Sequence, residues 1–223
     1  MNRTSPKPSY IRKVLAFFEA SYPEAACSLV FQNPFQLLAA TVLSAQCTDA
    51  RVNQTTPALF ARFPGPASLA QADLAEVEAL VRPCGFYRHK ARHLVELSLR
   101  LCRDHGGDVP RTMEALTALP GVGRKTASVV LGNAFGLPAL AVDTHLGRLS
   151  RRLGLSAGRN PEEIEADLAR LIPPSRWTIF SHQAIAHGRA VCRARRPDCE
   201  ACRFTICLFR RQNLSMKNYL TNT

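Results

Sequence analysis

Helix-start signals recur along this chain and constrain its fold more than any other feature. Asn33-Pro34 and Asn160-Pro161 each pair a capping side chain with a proline that suits the first helical position. Four more capping residues stand before apolar, periodic stretches: Asp49, Asp73, Thr112 and Asp143. No stretch alternates apolar and polar residues as a half-buried strand does. The sequence therefore predicts an all-α fold.

The predicted helices differ in how much of their surface is apolar. The stretch from Phe35 to Ala45 is nearly all apolar and is expected to be central and buried. Pro57 should kink or end the helix that Asp49 begins. A long amphipathic helix over 86–105 should present Leu94, Leu97 and Leu101 on one face and stop at Gly106-Gly107. Further helices are predicted over 74–81, 112–118, 123–135, 143–153, from 160 onward and over 175–190, with a loose tail from Gln212.

The charge of the chain favours an anionic partner. It has 29 Lys and Arg against 17 Asp and Glu, a formal net charge of +12. Arginine outnumbers lysine, which suits bidentate contact with phosphate. Nucleic acid is the first candidate partner and an anionic membrane surface the second; a basic protein with no nucleic-acid role is the third interpretation. We find no membrane-spanning stretch and no signal peptide, so a cytoplasmic location is expected, with the eight cysteines as thiols or metal ligands.

The string Leu119-Pro120-Gly121-Val122-Gly123-Arg124-Lys125-Thr126-Ala127 joins two predicted helices through a Gly-x-Gly turn. Glycines there allow positive φ and close approach of another backbone, and the amides that open the second helix form a phosphate site. Lys125 falls in the first turn of that helix. The helix dipole and partial burial are expected to lower the pKa of its amine, as a Schiff-base nucleophile requires. A lysine that only contacts phosphate remains the alternative.

Asp143 lies in the segment Ala141-Val142-Asp143-Thr144-His145, eighteen residues after Lys125. Its commonest role would be a plain helix N-cap. It could equally be a buried carboxylate that assists chemistry, and a cap would fix the rotamer for that role. The spacing leaves room for one helix and a return loop, so the two groups are expected to meet.

Four of the eight cysteines crowd the C-terminal part of the chain in the pattern C-x6-C-x2-C-x4-C, at Cys192, Cys199, Cys202 and Cys207. Four thiolates this close predict a Zn or a [4Fe–4S] site. The scattered Cys27, Cys47, Cys84 and Cys102 are predicted to be core residues. Three arginines lie between the first two clustered cysteines and form a basic surface: Arg193, Arg195 and Arg196. A bound cluster of net charge −2 would leave the chain at about +10.

As a set, these motifs resemble the endonuclease III family of the helix–hairpin–helix DNA glycosylase superfamily. The resemblance runs from roughly Pro34 to Cys207, most of the chain. Besides the hairpin string, the aspartate segment and the cysteines, it is carried by four short motifs: Leu43-Ser44-Ala45-Gln46-Cys47-Thr48-Asp49, Gly85-Phe86-Tyr87, Lys90-Ala91 and His187-Gly188-Arg189.

The resemblance implies two helical domains with a DNA cleft between them. One is a six-helix domain over 27–137, and the other, over 1–26 and 138–223, holds a [4Fe–4S] cluster. It implies a monomeric base excision repair enzyme that binds double-stranded DNA with damaged bases or abasic sites, removes oxidised pyrimidines and cleaves the abasic site by β-elimination. Lys125 would be the nucleophile and Asp143 its partner. Gln46 would fill the gap left by a flipped base. Further DNA contacts are expected from Phe86, Gly121, Gly123, Arg124, Arg193, Arg195 and Arg196.

The sequence departs from the family pattern in three places. The last cysteine gap has four residues where the family usually has five. Phe86 stands where a leucine wedge is common, which is expected to alter opposite-base preference. Thr117 stands where close relatives often carry Glu, which is expected to change lesion range or rate.

Three alternatives compete with this interpretation. An adenine-mismatch glycosylase of the same superfamily would share the hairpin, aspartate and cluster but would lack the hairpin lysine. A non-enzymatic iron–sulfur DNA-binding protein would account for the charge and the cysteines, though not for the pairing of Lys125 with Asp143. A zinc-binding module is the third.

Overall fold

A computed structural model describes residues 6–212 and 214 of the chain. The predicted all-α fold is confirmed, since every regular element in these residues is helical. The α-helices with both ends in the described residues are α1 Pro8–Ser21, α2 Pro34–Leu43, α3 Asp49–Arg62, α4 Pro66–Ala70, α5 Leu74–Val81, α6 Tyr87–His105, α7 Met113–Thr117, α8 Arg124–Ala134, α9 Thr144–Arg152, α10 Pro161–Leu171 and α11 Trp177–Ala190. Short 3-10 helices cover Arg82–Cys84 and Pro174–Arg176. The tail expected from Gln212 lies, but for residues 212 and 214, outside the described part.

The chain divides into two compact units. We call residues 27–139 the hairpin unit, because it contains the Gly-x-Gly turn, and the remaining residues the cysteine unit, because it contains Cys192 to Cys207. No helix in the described part of the chain combines the length and apolarity needed to cross a bilayer.

Helix α2 lies at the centre of the hairpin unit, as its apolar sequence predicts. The Asn33 side chain accepts a hydrogen bond from the Gln36 amide at 2.9 Å, and Pro34 occupies the first turn. Every residue from Phe35 to Leu43 is buried. The predicted face of α6 is also buried, with Leu94, Leu97 and Leu101 fully enclosed. These helices form the support on which the hairpin rests.

One prediction for the hairpin unit, the cap of α3, was wrong. Pro57 was expected to kink or end this helix; it does not end it, since α3 continues to Arg62 without the hydrogen bond that a proline cannot donate. Its cap is Thr48, whose hydroxyl accepts from the Arg51 amide at 3.3 Å, and Asp49 is the first helical residue. The five-residue helix α4 was not predicted, although Gly65-Pro66 is itself a start signal.

The cysteine unit is built from α1, α9, α10 and α11 around a second core. Asn160 caps α10 as predicted, accepting from the Glu163 amide at 2.8 Å. Phe18 of α1 and Phe180 of α11 meet edge to face at 5.3 Å, which ties the first helix of the chain to the last long one. The predicted helix over 175–190 begins as the 3-10 turn at Pro174–Arg176 and becomes α-helical at Trp177.

Candidate active site and cysteine cluster

The hairpin between α7 and α8 is a tight turn held by buried residues on both sides. The Val122 amide donates to the Leu119 carbonyl at 3.2 Å, and both side chains are buried. Gly121 has φ +76°, which with Pro120 before it matches a type II turn. A Cβ on Gly121 would lie 2.8 Å from Nδ1 of His93. Both its backbone and its surroundings therefore require glycine.

Gly123 differs from Gly121 in its backbone conformation. It is the N-cap of α8 in an extended conformation with φ −91°, and a Cβ there would meet nothing within 4 Å. In the described part of the chain no side chain caps α8. The first amides of a helix have no intrahelical partner, so this open terminus is suited to an anion.

Lys125 is the second residue of α8 and is exposed. The expected partial burial of this amine is therefore wrong. Arg124 beside it is also exposed. Behind them α8 buries Ala127 and Val130 fully, which fixes the terminus to the core of the hairpin unit.

Asp143 caps α9 in the cysteine unit, as predicted. Its carboxylate accepts a hydrogen bond from the Leu146 amide at 2.7 Å. The side chain is half-buried, and the preceding Leu140, Ala141 and Val142 are buried. The cap fixes the direction of the carboxylate.

His145 and Arg148, both on α9, fasten it to α11. Nη2 of Arg148 lies 3.1 Å from Nδ1 of His145 and donates to the Gly188 carbonyl at 3.0 Å. A Cβ on Gly188 would lie 2.8 Å from that same Nδ1, so the contact requires glycine. Burial, more than the nearby arginines, lowers the pKa of His145 against the opposing effect of Asp143. Arg148 therefore links α9 to α11 through the Gly188 carbonyl while it lies against the His145 ring.

Gln46 and Phe86 share an unusual backbone conformation. Among the described residues they are the only non-glycines with positive φ, at 52° and 47°. Both are exposed, Phe86 to 63% although it is a large apolar residue. Gln46 follows α2, and Phe86 precedes α6. Strained, exposed residues of this kind concentrate at functional sites.

The four clustered cysteines line one apolar cavity of the cysteine unit. Cys199 and Cys207 are buried, and Cys192 and Cys202 are half-buried. Burial raises the pKa of the Cys202 and Cys207 thiols, and the charges of the other cluster thiolates raise it further. Iron binding would displace these protons and neutralise the mutual repulsion, so the donor set fits a thiolate-bound cluster. No group of three or more described His, Cys, Asp or Glu side chains has an arrangement that could hold a single metal ion.

Arginines of α9 hold the segment after Cys192, which we call the arginine loop (residues 192–199). Nη1 of Arg152 donates to Cys192 Sγ at 3.1 Å and to the Arg193 carbonyl at 2.8 Å. Its Nη2 donates to the Ala194 carbonyl at 2.8 Å, and Nε of Arg148 donates to the Cys192 carbonyl at 3.2 Å. The loop is therefore fastened through its backbone.

The side chains of the arginine loop remain available to a ligand. Arg193, Arg195 and Arg196 are all exposed. The backbone at Arg193 and Ala194 is held from α9, so the first part of this basic surface has a fixed path.

Comparison with known proteins identifies the family. Residues 39–174 match the model of the HhH-GPD superfamily base excision DNA repair proteins. The chain belongs to this superfamily. It is 48% identical over 203 residues to endonuclease III of Synechocystis sp., covering 91% of this chain and 93% of that protein. It is 39% identical over 190 residues to endonuclease III of Escherichia coli, covering 85% and 90%.

Solved structures with a similar fold agree with this family assignment. A trapped covalent intermediate of an endonuclease III with DNA, described as an estranged-adenine complex, superposes with a TM-score of 0.88 at 42% identity, covering 94% of this chain and 99% of that one. A thermostable thymine-DNA glycosylase shares the fold, with a TM-score of 0.82 at 21% identity. This HhH-GPD protein is thus similar over nearly its whole length to an endonuclease III trapped as a covalent intermediate with DNA.

The structure shows where two of the residues that depart from the family pattern lie, Thr117 and Cys207. Thr117 is exposed at the end of α7, and its hydroxyl donates to the Met113 carbonyl at 2.8 Å. Cys207 lines the same cavity as the other three cysteines, so the shortened gap does not remove it from the set.

The residues that support the site were not predicted from the sequence. Arg148 and Arg152 hold the arginine loop, and His187 places Nε2 3.9 Å from Cys202 Sγ while its Nδ1 lies 2.8 Å from the Tyr22 hydroxyl. The basic run from Arg148 to Arg152 on α9 was a signal for the first two, because arginines on a helix after a candidate catalytic residue need acceptors.

Proposed function

We propose that this chain removes damaged bases and cleaves abasic sites with Lys125 as nucleophile and Asp143 as its partner. The chain is a base excision repair enzyme, a DNA glycosylase with AP lyase activity. Its substrates in this proposal are oxidised pyrimidines in double-stranded DNA, on which it acts as a monomer in the cytoplasm, at the nucleoid.

The observation that carries the proposal is the position of Lys125 at an uncapped helix terminus beside Gly123. The open space at Gly123 admits a DNA backbone, and the first amides of α8 bind its phosphate. A lysine in that first turn then reaches the sugar. The solved covalent complex of an endonuclease III with DNA supports a covalent route in this chain too.

The chemistry divides between two side chains. The amine of Lys125 attacks C1′ as the N-glycosidic bond breaks and the base leaves with its electron pair. Asp143 accepts the lysine proton or stabilises the positive charge that develops on the sugar. Opening of the sugar gives an iminium, which acidifies C2′. Loss of a C2′ proton then expels the 3′ phosphate.

Gln46 and Phe86 are proposed to occupy the duplex while the damaged base is outside it. Extruding a base costs a few kcal/mol, and damage lowers that cost. Exposed residues whose backbone is already in a strained conformation lose little freedom on insertion. The aromatic ring of Phe86 is suited to stack on a base.

The four cysteines are proposed to hold a [4Fe–4S] cluster. Its role is structural, since it would pin both ends of the arginine loop at Cys192 and Cys199. Arg193, Arg195 and Arg196 then contact phosphates, along with Arg124 at the hairpin. A dark, iron- and sulfide-containing protein supports this assignment, whereas a colourless protein with bound zinc contradicts it.

Borohydride trapping on abasic-site DNA tests the nucleophile. The wild type should give a covalent adduct and Lys125→Gln none. Lys13→Gln, which removes another exposed lysine, is the matched control and should trap like the wild type. An equal yield from Lys125→Gln would show that another amine reacts.

Base release separates the substrate classes. Duplexes with an oxidised pyrimidine should lose that base and then be cleaved. A duplex with adenine opposite oxidised guanine should stay intact, and release of adenine without cleavage would favour the mismatch-glycosylase alternative.

A further inference from the structure

A strained turn between the 3-10 helix Arg82–Cys84 and α6 carries Phe86 at the surface. Gly85 has φ +67° and ψ 160°, a conformation that residues with a side chain almost never adopt. Phe86 follows with φ 47° and ψ 30°, in the left-handed region. Strained backbone of this kind persists only where the surrounding structure holds it. The conformation of Phe86 therefore depends on the contacts that close this turn.

Lys90 of α6 makes contacts on both sides of Gly85. Its Nζ donates a hydrogen bond to the Cys84 carbonyl at 2.8 Å, and its backbone amide donates to the Phe86 carbonyl at 3.1 Å. The second bond belongs to the first turn of the helix and forms with any residue but proline. The first bond exists only because the side chain is that of lysine. It fastens the start of the turn to α6, while the buried side chain of Cys84 fastens it to the core.

The burial of this amine is exceptional for the protein. Lys90 is 5% exposed, and among the described residues it is the only buried Lys, Arg, Asp or Glu. Removing an ammonium from water is costly, and burial accordingly lowers the pKa of Lys90. A methionine of similar length would fill the same space without that cost. The specific contribution of the lysine is thus its bond to the Cys84 carbonyl.

Lys90 also differs from the other basic side chains at the start of α6. Arg88 and Arg92 are exposed and can meet a phosphate directly. The Lys90 amine is enclosed by protein and bonded to the backbone of the turn. Any effect of Lys90 on a ligand must therefore pass through the turn and reach the ligand through Phe86.

We propose that Lys90 is a positioning residue that holds Phe86 in the conformation in which it enters the duplex. The inference rests on the proposed function, because it assumes that Phe86 inserts into DNA. With the turn closed, the backbone of Phe86 is ordered when the protein folds, and DNA binding does not carry that entropic cost. Without the bond from Lys90, Gly85 regains the wide conformational freedom of glycine, and binding has to order the turn.

Hydrogen exchange of the free protein tests whether Lys90 holds the turn. Lys90→Met removes the donor and keeps the length of the side chain. Peptides that span residues 82–90 should exchange about fivefold faster in this variant, because opening of the turn exposes their amides. Peptides from α2 and from the rest of α6 should exchange as in the wild type. Lys90→Leu is the second variant and should give the same result.

DNA binding tests whether the held turn matters for Phe86. The probe is a duplex with a tetrahydrofuran abasic site, which cannot form a Schiff base. Lys90→Met should raise the Kd for this probe about fivefold, equivalent to about 1 kcal/mol, and leave the Kd for undamaged duplex unchanged. The slope of log Kd against log salt concentration should also stay the same, because Lys90 touches no phosphate.

A double-mutant cycle with Phe86→Ala assigns the effect to the ring. Lys90→Met should raise the Kd in the wild-type background and have no effect once the ring is absent. A general effect of lost charge would persist in both backgrounds. Ser98→Ala is the matched control, since Ser98 is also fully buried on α6 and its Oγ donates to the Leu94 carbonyl at 2.7 Å. It should match the wild type in Kd and in exchange at residues 82–90.

Three results would overturn the proposal: unchanged exchange of residues 82–90 in Lys90→Met, an equal rise in Kd with and without the Phe86 ring, or a reduced salt slope, which would assign Lys90 to a phosphate. Failure of the proposed function shows elsewhere. Phe86→Ala alone would then leave the Kd unchanged, or the wild type would give no borohydride-trapped adduct, whereas the exchange measurement on the free protein would still report whether Lys90 holds the turn.

Discussion

At the scale of single residues, the two hairpin glycines make the clearest contrast. Gly121 has φ +76° and lies against the His93 ring, whereas Gly123 is extended with open space around it. We expect Gly121→Ala to lower the free energy of unfolding by about 1–2 kcal/mol from backbone strain, with a further loss from displacing His93. Gly123→Ala should cost under about 1 kcal/mol, as a poorer N-cap.

Gly123→Ala, which should cost little stability, should have a clear effect on DNA binding. A methyl group there occupies the space through which a phosphate approaches the first amides of α8, so Gly123→Ala should raise the Kd for abasic-site DNA while remaining folded. Guanidinium unfolding measures the free energy of unfolding, and fluorescence anisotropy measures the Kd for DNA on the same preparations. An unchanged Kd for Gly123→Ala would show that no phosphate binds at this position.

Phe86 offers a second test at residue scale. Its exposed ring contributes little to the core, and its φ of 47° is costly for any residue but glycine. Phe86→Gly should therefore leave the free energy of unfolding within about 1 kcal/mol, because relief of strain offsets the flexibility of glycine. Loss of stacking should weaken binding to abasic-site DNA by about 1–3 kcal/mol.

The control for Phe86 is Leu99→Ala, since Leu99 is another exposed apolar residue, 51% accessible, on α6. It should bind as the wild type does. Phe86→Leu should restore binding and change the preference for the base opposite the lesion. Equal binding by Phe86→Gly and the wild type would show that the ring does not enter the duplex.

At the scale of helices, Asp143 combines a cap with a candidate catalytic carboxylate. Asparagine caps helices as well as aspartate does, so Asp143→Asn should keep the 2.7 Å bond from the Leu146 amide and the free energy of unfolding. Asp143→Ala should lose about 1 kcal/mol of stability. Both variants should lose about 10²–10⁴-fold in the single-turnover rate of base release, because neither has a carboxylate.

The two Asp143 variants separate structure from chemistry. A residue that acts only as a cap would give an active Asp143→Asn and an impaired Asp143→Ala. Circular dichroism melts report the stability of each variant, and quenched flow reports its rate of base release.

Arg152 is the residue through which α9 holds the arginine loop. Its guanidinium binds Cys192 Sγ and the carbonyls of Arg193 and Ala194. Arg152→Lys keeps the charge but not the fork of donors. It should therefore loosen the loop, raise the Kd for DNA several-fold and speed the loss of iron from the proposed cluster to a chelator. Arg151→Lys, on the adjacent position of the same helix, is the control and should match the wild type in both measurements.

Helix capping explains why much of the fold was predictable. A cap depends on residues within one turn, so Asn33, Asp73, Thr112, Asp143 and Asn160 were all found from local sequence. The site was less predictable where contacts join distant residues. Arg152 meets a loop about forty positions away, and no local pattern records its acceptors. The exposure of Lys125 likewise depends on packing that periodicity does not describe.

At the scale of the whole molecule, the two units differ in the signals that identify them. The hairpin unit was recognisable from a short string, because its turn geometry demands particular residues. The cysteine unit was recognisable from ligand spacing. The strain at Gln46 and Phe86 has no counterpart in the sequence itself, and only the resemblance to a family had drawn attention to those positions.

Acid should weaken the cysteine unit through its histidines. Burial is the largest cause of a lowered pKa at both His145 and His182. The unfolded chain protonates histidine near pH 6.5, whereas the folded chain does so only at lower pH. Unfolding therefore takes up protons in that interval. The histidine contribution to stability is present above about pH 6.5 and is lost as the pH falls through the lowered values.

The single tryptophan makes this effect measurable in one unit. Trp177 opens α11, and its Nε1 donates to the Ile172 carbonyl at 2.8 Å, so its fluorescence reports on the cysteine unit. Guanidinium unfolding between about pH 7 and pH 5 should show a steady fall in the free energy of unfolding. His182→Gln should flatten that fall, whereas His89→Gln, at an exposed position of the hairpin unit, should not. A fall of equal slope in His182→Gln would show that its burial does not control the titration.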